Sequence, residues 1–288
     1  MNTILVPTDF SPVAEHAFDL ALQVANKEGG QIVLLHIIEH PSSSSVHYMG
    51  VVDADPMESI FIKKMIEQAE AKMADWLAKA EGKGPEVKWK IKLGNPYIEI
   101  TEQITETKCD IVIMGTEGTE GMTQELTGSN AERVIRKSHV PVVTMKSKCD
   151  VDKINKIAVA SGFKDATPDF IKHLMQLQKS LNAELHFVRV NSPGDFQSTK
   201  YDKKLMGQFV SDYGFENCST HIYNDFSEED GIVSFAEEID ADMIAMETHG
   251  RTGIMHLLIG SIAEDVVNHA KRPVWTLNVK RESSVKES

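Results

Sequence analysis

Two glycine-rich segments of the chain carry the residues whose types and spacing could hold a ligand. The first contains, in order, Gly115, Gly118, Gly128 and Ser129. Glycines let backbone N–H groups approach a ligand closely, and a helix that begins near Ser129 would offer unpaired N–H groups and the positive end of its dipole to an anion. The segment therefore predicts a phosphate-binding loop. The alternative is a plain turn before a helix, because Ser129 and Glu132 have the spacing of a capping box.

The first glycine segment matches neither of two well-known nucleotide-binding motifs. It lacks the Gly-Lys-Ser or Gly-Lys-Thr ending of a Walker A loop. It also follows the fourth apolar run of the chain, whereas the dinucleotide fingerprint follows the first strand. Spacing alone therefore leaves the ligand open.

An internal repeat shows which elements must position this segment. The apolar run at Ile4 matches the run at Ile157 at an offset of 153 residues, whereas the two glycine segments match at an offset of 132. The second copy is therefore shorter by 21 residues, between its second strand and its glycine segment. We predict two repeated domains, 1–146 and 153–280, joined by a polar linker and followed by a disordered tail, 281–288.

Short runs rich in Val, Ile and Leu alternate with longer segments of helical periodicity in both copies. The runs are apolar throughout, which is typical of parallel strands covered by helices on both faces. Ser11 and Thr167 each precede a proline and predict helix N-termini. Apolar residues at three- or four-residue spacing between Ile62 and Trp76 predict a long helix with one side in the core. Each copy is therefore predicted to be an α/β domain with an open, doubly wound parallel sheet and helices on both faces, whose ligand binds at the carboxyl ends of the strands.

Composition and charge exclude several classes of protein. The 288 residues include 30 Lys and Arg against 43 Asp and Glu, a net charge of −13 that disfavours nucleic acid and anionic membranes as partners. The three cysteines have no Cys-x-x-Cys spacing, so neither a disulfide framework nor a zinc site is indicated. No basic segment precedes a long apolar run, and no 18 apolar residues are consecutive, which predicts a cytoplasmic protein.

The pattern Gly115-x2-Gly118-x9-Gly128-Ser129 closely resembles the ATP-binding signature of the universal stress protein family. The opening run 4–11, the strand 34–37, and the segment 128–134 followed by Pro-Val-Val at 141–143 are similar to that family too, and the similarity extends over both copies. The resemblance implies two domains of five parallel strands each, with the adenine-nucleotide alpha hydrolase-like fold. It also implies ATP in the first copy and a role in stress survival or signalling.

The resemblance assigns roles to residues of the first copy by position. Asp9 would contact the adenine amino edge or the ribose, the Ile37 backbone would pair with the base, and Ser129 and Asn130 would donate to the triphosphate. From the residues alone, Asp9 is equally well explained as a strand-end carboxylate that caps a helix, and His36 as a core or rim histidine with its hydrogen bonds satisfied. The complete set of implied site residues is Pro7, Thr8, Asp9, Ile37, Met114, Gly115, Gly118, Gly128, Ser129 and Asn130.

The two copies differ at two of these positions. In the second copy Gly162 stands where Asp9 is, which removes the carboxylate, and Glu247 stands where Gly115 is, which adds a side chain and a negative charge. We therefore predict that the second copy binds ATP poorly or not at all.

The loop of the first copy is acidic. Glu117 and Glu120 occupy the positions of His249 and Arg251 in the second copy. A carboxylate roughly 8 Å from an anionic ligand would weaken its binding by about 0.5–2 kcal/mol. The alternatives are that the two glutamates point to solvent, or that they hold Mg²⁺ against the phosphates.

The sequence favours an adenine-nucleotide-binding stress or signalling module. The alternative is an interaction scaffold in which both sites are degenerate. An enzyme is disfavoured, because the chain has no His-x-Gly-His, no Ser-Gly-Gly-x-Asp and no evident nucleophile–base pair, so at most slow ATP hydrolysis is expected.

The last apolar run of each copy, 140–145 and 273–278, would lie at a sheet edge. We expect these edges to pair inside one chain, in imitation of the family's dimer, with Trp275 packed between them. Two such chains could then form a larger homodimer.

Overall fold

The computed structural model describes residues 2–39, 56–82, 84–116, 129–164, 166–249 and 259–279. The predicted tail, 281–288, lies outside them. The first copy contains β1 (Thr3–Thr8), α1 (Pro12–Glu28), β2 (Gln31–Ile38), α2 (Pro56–Ala80), β3 (Glu86–Leu93), α3 (Pro96–Thr107), β4 (Ile111–Gly115), α4 (Ser129–Lys137) and β5 (Val142–Met145). After a short 3₁₀ turn (Val151–Lys153), the second contains β6 (Lys156–Ala160), α5 (Pro168–Leu181), β7 (Glu184–Asn191), α6 (Thr199–Tyr213), β8 (Cys218–Asn224), α7 (Glu228–Glu238), β9 (Met243–His249), α8 (Ile259–His269) and β10 (Val274–Val279).

The strands form one ten-stranded sheet in the order β3-β2-β1-β4-β5-β10-β9-β6-β7-β8. Within each half all the described pairings are parallel, and the strand order of the second half repeats that of the first. This confirms the predicted doubly wound α/β class, with five described strands in each half.

Two apolar layers cover the faces of the sheet. Helices α1, α2, α5 and α6 pack on one face, and α3, α4, α7 and α8 pack on the other. Among the described helices, none has an apolar stretch long enough to span a bilayer.

The predicted helix N-termini are formed by side-chain caps. Ser11 Oγ accepts a hydrogen bond from Ala14 N at 3.2 Å, and Thr167 Oγ1 accepts one from Phe170 N at 3.3 Å. Each cap satisfies an N–H group that has no partner within its helix, and the following proline needs none. These two caps confirm the helix starts that the Ser-Pro and Thr-Pro pairs predict.

Only the C-terminal part of the predicted apolar stripe on α2 is in the core. Ala69, Met73 and Trp76 are buried, whereas Ile62 and Ile66 are half-buried. A helix of 25 residues is about 37 Å long, whereas a strand of eight residues spans only about 26 Å. The N-terminal half of α2 therefore extends beyond the sheet that its other half covers.

The predicted polar linker, 147–153, is anchored to the first copy. Gln23 on α1 donates to Cys149 O at 3.3 Å and accepts from Val151 N at 2.9 Å, and the Val151 side chain is buried. Lys27, one turn further along α1, pairs with Asp152 at 3.1 Å. The polar composition predicts a linker but not these contacts, which depend on residues more than 120 positions away.

The two halves of the sheet meet where β5 pairs with β10 in antiparallel orientation. Thr144 donates to Val274 O at 3.4 Å, and Thr276 donates to Val142 O at 3.3 Å. The residues of the second bond are the equivalents of the first at the offset of 132, so the contact is symmetric. The strands thus pair as the sequence predicts, and Trp275, which is only 2% exposed, lies in that packing.

A second symmetric contact joins the helices α4 and α8. Arg136 forms an ion pair with Glu264, and Asn268 donates to Glu132 Oε1 at 3.0 Å. Arg136 and Asn268 are equivalent positions, as are Glu132 and Glu264. The same contact is therefore made once by an ion pair and once by a neutral amide.

Candidate functional site

A cavity of about 330 Å³ lies in the first copy, at the carboxyl ends of β1, β2 and β4. Such a position is where open parallel sheets bind ligands. Among the residues that line it are seven of the ten predicted site residues, Pro7, Thr8, Asp9, Ile37, Met114, Gly115 and Asn130.

The remaining predicted site residues fall at the border of what the structure describes. Gly118 and Gly128 lie outside the described residues, as do Glu117 and Glu120 of the acidic loop. Ser129 is the first residue of α4, and its neighbour Asn130 lines the cavity. The N-terminal end of α4 therefore lies at the cavity, where a phosphate-binding loop would need it.

Gly115 is required by the close approach of two backbones. A Cβ atom built at Gly115 would lie 2.7 Å from Val13 C, 2.8 Å from Val13 O and 2.9 Å from Ala14 N. These are backbone atoms of the first turn of α1, so they cannot move aside as a flexible side chain would. The last residue of β4 must therefore lack a side chain for α1 to begin where it does.

Asp9 lies in the short loop between β1 and α1. Its Oδ1 atom accepts from Ser11 N at 2.9 Å, and Thr8 Oγ1 accepts from Phe10 N at 2.9 Å. Phe10 has a φ of +63°, in the left-handed region that a bulky residue rarely adopts. The two side-chain bonds hold this turn, so the carboxylate does support the helix entry while it also lines the cavity.

His36 has a hydrogen-bond partner, as predicted. Its Nδ1 atom lies 2.8 Å from Thr8 O, and because a carbonyl can only accept, Nδ1 carries the proton. Its ring centroid is 4.5 Å from that of Phe10, which in turn meets Trp76 edge-on at 5.6 Å. The histidine thus supports the turn that carries Asp9.

Burial lowers the pKa of His36 from its ordinary value of 6.5, and this effect outweighs the bond to Thr8 O, which raises it. Nearby Lys72 lowers the pKa further, and Asp9 raises it. The folded protein therefore binds fewer protons here than the unfolded chain does. We expect the contribution of the neutral ring to stability to be complete above pH 6.5 and to be lost as the pH falls toward the folded pKa.

An NMR titration of the histidine ring signals, assigned with His36→Phe, tests this expectation. The signal that is missing from the variant should titrate with a midpoint below 6.5. Thermal unfolding between pH 7 and pH 5 should show a larger loss of stability in the unsubstituted protein than in the variant. A midpoint at or above 6.5 would contradict the expectation.

Besides Ser11, the cap of α1, two polar residues that line the cavity are absent from the predicted set. Thr116 is buried, and its Oγ1 atom has no hydrogen-bond partner among the described residues, although its N donates to Met145 O at 2.9 Å. Glu39 is exposed at the cavity rim, after β2. In the sequence, only their position points to the site. Each residue directly follows a strand that already contributes a predicted site residue.

The second copy is built differently at the equivalent position. Glu247 is only 7% exposed, and its Oε1 atom accepts from Thr167 N at 3.2 Å and from Thr167 Oγ1 at 2.7 Å. The carboxylate therefore lies against the residue that caps α5. The structure thus shows where the side chain of Glu247 goes, against the start of α5.

The start of α5 explains how Glu247 fits. The equivalent strand pairings, Ile4 with Ile111 and Ile157 with Met243, fix the offset of 153 residues between β1 and β6. The next strands, β2 and β7, are again 153 residues apart. The helix α5 nevertheless begins 156 positions after α1, and it has 14 residues against 17. In the second copy the positions of Val13 and Ala14 are held by Ala166 and Thr167, which precede the helix. Glu247 hydrogen-bonds within this rearranged turn.

Comparison with known proteins identifies relatives of both copies. The sequence profile of the Universal stress protein family matches residues 1–146 and 153–278. The Universal stress protein Slr1230 of Synechocystis sp. is 25% identical, and the alignment covers 96% of this chain and 99% of that protein. Universal stress protein MJ0577 of Methanocaldococcus jannaschii is 31% identical over 50% of this chain and 94% of its own length. The crystal structure of a universal stress protein from Archaeoglobus fulgidus has a TM-score of 0.74 at 24% identity, covering 96% of this chain and 98% of that one.

Proposed function

The chain belongs to the universal stress protein family, of which it carries two domains in tandem, and from that premise we propose that its first domain binds an adenine nucleotide, ATP, in a stress-response or signalling role. The observation that carries the proposal is the convergence of seven predicted site residues on one cavity at the carboxyl ends of the strands. Binding sites on this type of sheet lie at that edge.

The described cavity wall has two kinds of surface that suit an adenine nucleoside. Pro7, Ile37 and Met114 are apolar and would contact the base, whereas Asp9 and Thr116 carry oxygen atoms that would pair with hydroxyl or amino groups. Thr116 Oγ1 supports a bound polar ligand most directly, because a buried hydroxyl is costly when it lacks a partner, and this one has none among the residues that the structure describes. The phosphates would then meet Asn130 and the N-terminus of α4.

We propose that the second domain binds this ligand weakly or not at all. The Glu247 carboxylate binds Thr167 at the start of α5, whereas Gly115 of the first domain packs on the backbone of α1. Gly162 supplies no carboxylate at the position of Asp9. At the start of α8, Ile262 stands where Asn130 stands in α4, so a polar contact to phosphate is lost as well.

We also propose that the β5–β10 pairing takes the place of a dimer of separate chains. Its two equivalent hydrogen bonds support this, because a contact between two copies of one surface repeats itself about a two-fold axis. The ends of the sheet are then β3 and β8.

Isothermal titration calorimetry with ATP and Mg²⁺ tests the proposed function. We expect one site per chain, and we expect Asp9→Asn to weaken binding by about tenfold or more, because a hydrogen bond to a charged group contributes about 1.5–3 kcal/mol. A control is Asp212→Asn, which removes an exposed carboxylate on α6 in the other domain. A chain that binds no adenine compound would overturn the proposal and favour the interaction scaffold.

A further inference from the structure

We propose that His186 and His221, on the adjacent strands β7 and β8, bind a divalent transition metal ion of the class that prefers imidazole nitrogen, such as Zn²⁺ or Ni²⁺. This site lies in the second domain, whereas the nucleotide cleft lies in the first, so the inference does not rest on the proposed function. The spacing of the cysteines gives no sign of it, because its ligands are two histidines 35 positions apart.

The two histidines present ring nitrogens at the separation that a metal ion requires. His186 Nδ1 lies 3.3 Å from His221 Nε2. Two nitrogen atoms bound to one tetrahedral zinc ion, each at about 2.0–2.1 Å from it, are about 3.3–3.4 Å apart. The rings come from neighbouring strands of one sheet, which fix the positions of their backbones. An ion can therefore bind between the two nitrogens with little movement of the protein.

The surroundings of His186 leave the required nitrogen without a proton. Its other ring nitrogen, Nε2, is buried, makes no hydrogen bond within the described residues and lies 3.4 Å from Glu184 Oε1. A carboxylate can only accept, so the proton belongs on Nε2, and Nδ1 keeps its lone pair. Histidines that bind metals usually direct their second N–H group at a carboxylate, which orients the ring and makes the other nitrogen a stronger ligand.

Ser219 places a hydroxyl between the two rings. Its Oγ atom lies 3.0 Å from His186 Nδ1 and 2.8 Å from His221 Nε2. Without a metal ion the hydroxyl donates to His186 and accepts from His221, so the three side chains satisfy one another. When an ion binds, it replaces the proton on His221 Nε2, and the neutral ring then carries its proton on Nδ1.

The site has open coordination positions. Within the residues that the structure describes, no group of three or more His, Cys, Asp or Glu is placed to hold a metal ion. The protein thus offers two imidazoles and one hydroxyl, and water completes the coordination. Structural zinc sites have four protein ligands, so this site predicts a weaker and reversible binding. Ser219 and His221 are half-buried on a strand at the end of the sheet, where an ion can enter from solvent.

The first domain builds the same pair of strands without such a group. The positions equivalent to His186, Ser219 and His221, matched by the strand pairings, are those of Val33, Lys88 and Lys90. Two of these are lysines, whose positive charge opposes a metal ion. In the second domain, by contrast, the carboxylates of Glu184 and Glu238 are close enough to interact with the charge of His221. The fold therefore does not require the two histidines, and the charge around them favours a cation.

Isothermal titration calorimetry with Zn²⁺ and with Ni²⁺, on chelator-treated full chain without a histidine tag, tests the site. We expect one ion per chain, and we expect His186→Gln and His221→Gln each to weaken binding by at least about tenfold, because even the loss of an outer partner of a metal ligand costs about 10–100-fold. The control is His269→Gln, which removes an exposed histidine of α8 and should leave the affinity unchanged. Mg²⁺ at the same concentration should not compete, because it prefers oxygen ligands.

A second measurement uses the unsubstituted protein, so it does not depend on the folding of a variant. In an NMR titration with Zn²⁺, the ring signals of His186 and His221 should shift together and stop shifting at one equivalent. Binding that survives both substitutions, or ring signals that do not move, would overturn the inference. The two histidines and Ser219 would then be a hydrogen-bonded group without a ligand.

Discussion

Replacement of Gly115 by alanine is expected to lower the free energy of unfolding by about 1–3 kcal/mol and to weaken adenine-nucleotide binding by at least about tenfold. The added Cβ would lie within 2.9 Å of three backbone atoms in the first turn of α1. Either β4 or α1 must then move, and both elements line the cavity. Chemical denaturation and calorimetry with ATP and Mg²⁺ measure the two effects.

A second glycine supplies the control for this substitution. A Cβ at Gly162, at the equivalent of Asp9, would meet no atom within 4 Å. Gly162→Ala should therefore change neither stability nor binding by a measurable amount. Gly115→Glu, which introduces the residue of the second domain, should abolish binding, because the first domain lacks the rearranged turn that accommodates Glu247. A Gly115→Ala protein with unchanged stability and affinity would refute this account.

The second domain shows what accompanies a side chain at this position. Its helix α5 begins three residues late and is three residues shorter than α1, and Thr167 provides both an N–H and a hydroxyl to the carboxylate of Glu247. Two hydrogen bonds thus join Glu247 to the residue that directly precedes α5. Exchange of Glu247 for glycine would remove an acceptor from Thr167 without rebuilding the first turn of the helix.

The repeat and the helix caps could be predicted because their signals are local. Ser-Pro and Thr-Pro pairs fix where α1 and α5 begin, and apolar runs mark the strands. The three-residue delay of α5 is hidden in the overall repeat, because a longer loop and a shorter helix compensate and the offset of 153 is restored at β7. Only the cap positions, 156 residues apart, record the change.

The site was predictable to the extent that it lies at strand ends. The family resemblance assigns Asp9, Ile37 and Gly115 to the site by their positions in the sequence, and all three line one cavity. The buried hydroxyl of Thr116 and the rim carboxylate of Glu39 are not in the predicted set, because whether a residue after a strand faces a cavity depends on the twist of the sheet and on the neighbouring helices.

The junction between the domains contains one large buried side chain, that of Trp275. The pseudo-two-fold relation places Trp275 opposite Val143, its equivalent in the first domain. A contact between equivalent residues is thus made by one large and one medium side chain. The indole belongs to an apolar cluster that contains residues of both domains, including Met145 and Phe170, whose ring centroid lies 6.0 Å away.

Trp275→Ala is expected to lower the free energy of unfolding by about 3–5 kcal/mol, because truncation leaves a cavity that rigid strands on both sides cannot fill. Trp89→Ala is the matched control, since that indole is 41% exposed on the edge strand β3 and its loss should cost about 1 kcal/mol or less. Urea denaturation followed by far-UV circular dichroism measures both variants without relying on tryptophan fluorescence. If the two substitutions cost the same, the β5–β10 junction does not hold the domains together through this side chain.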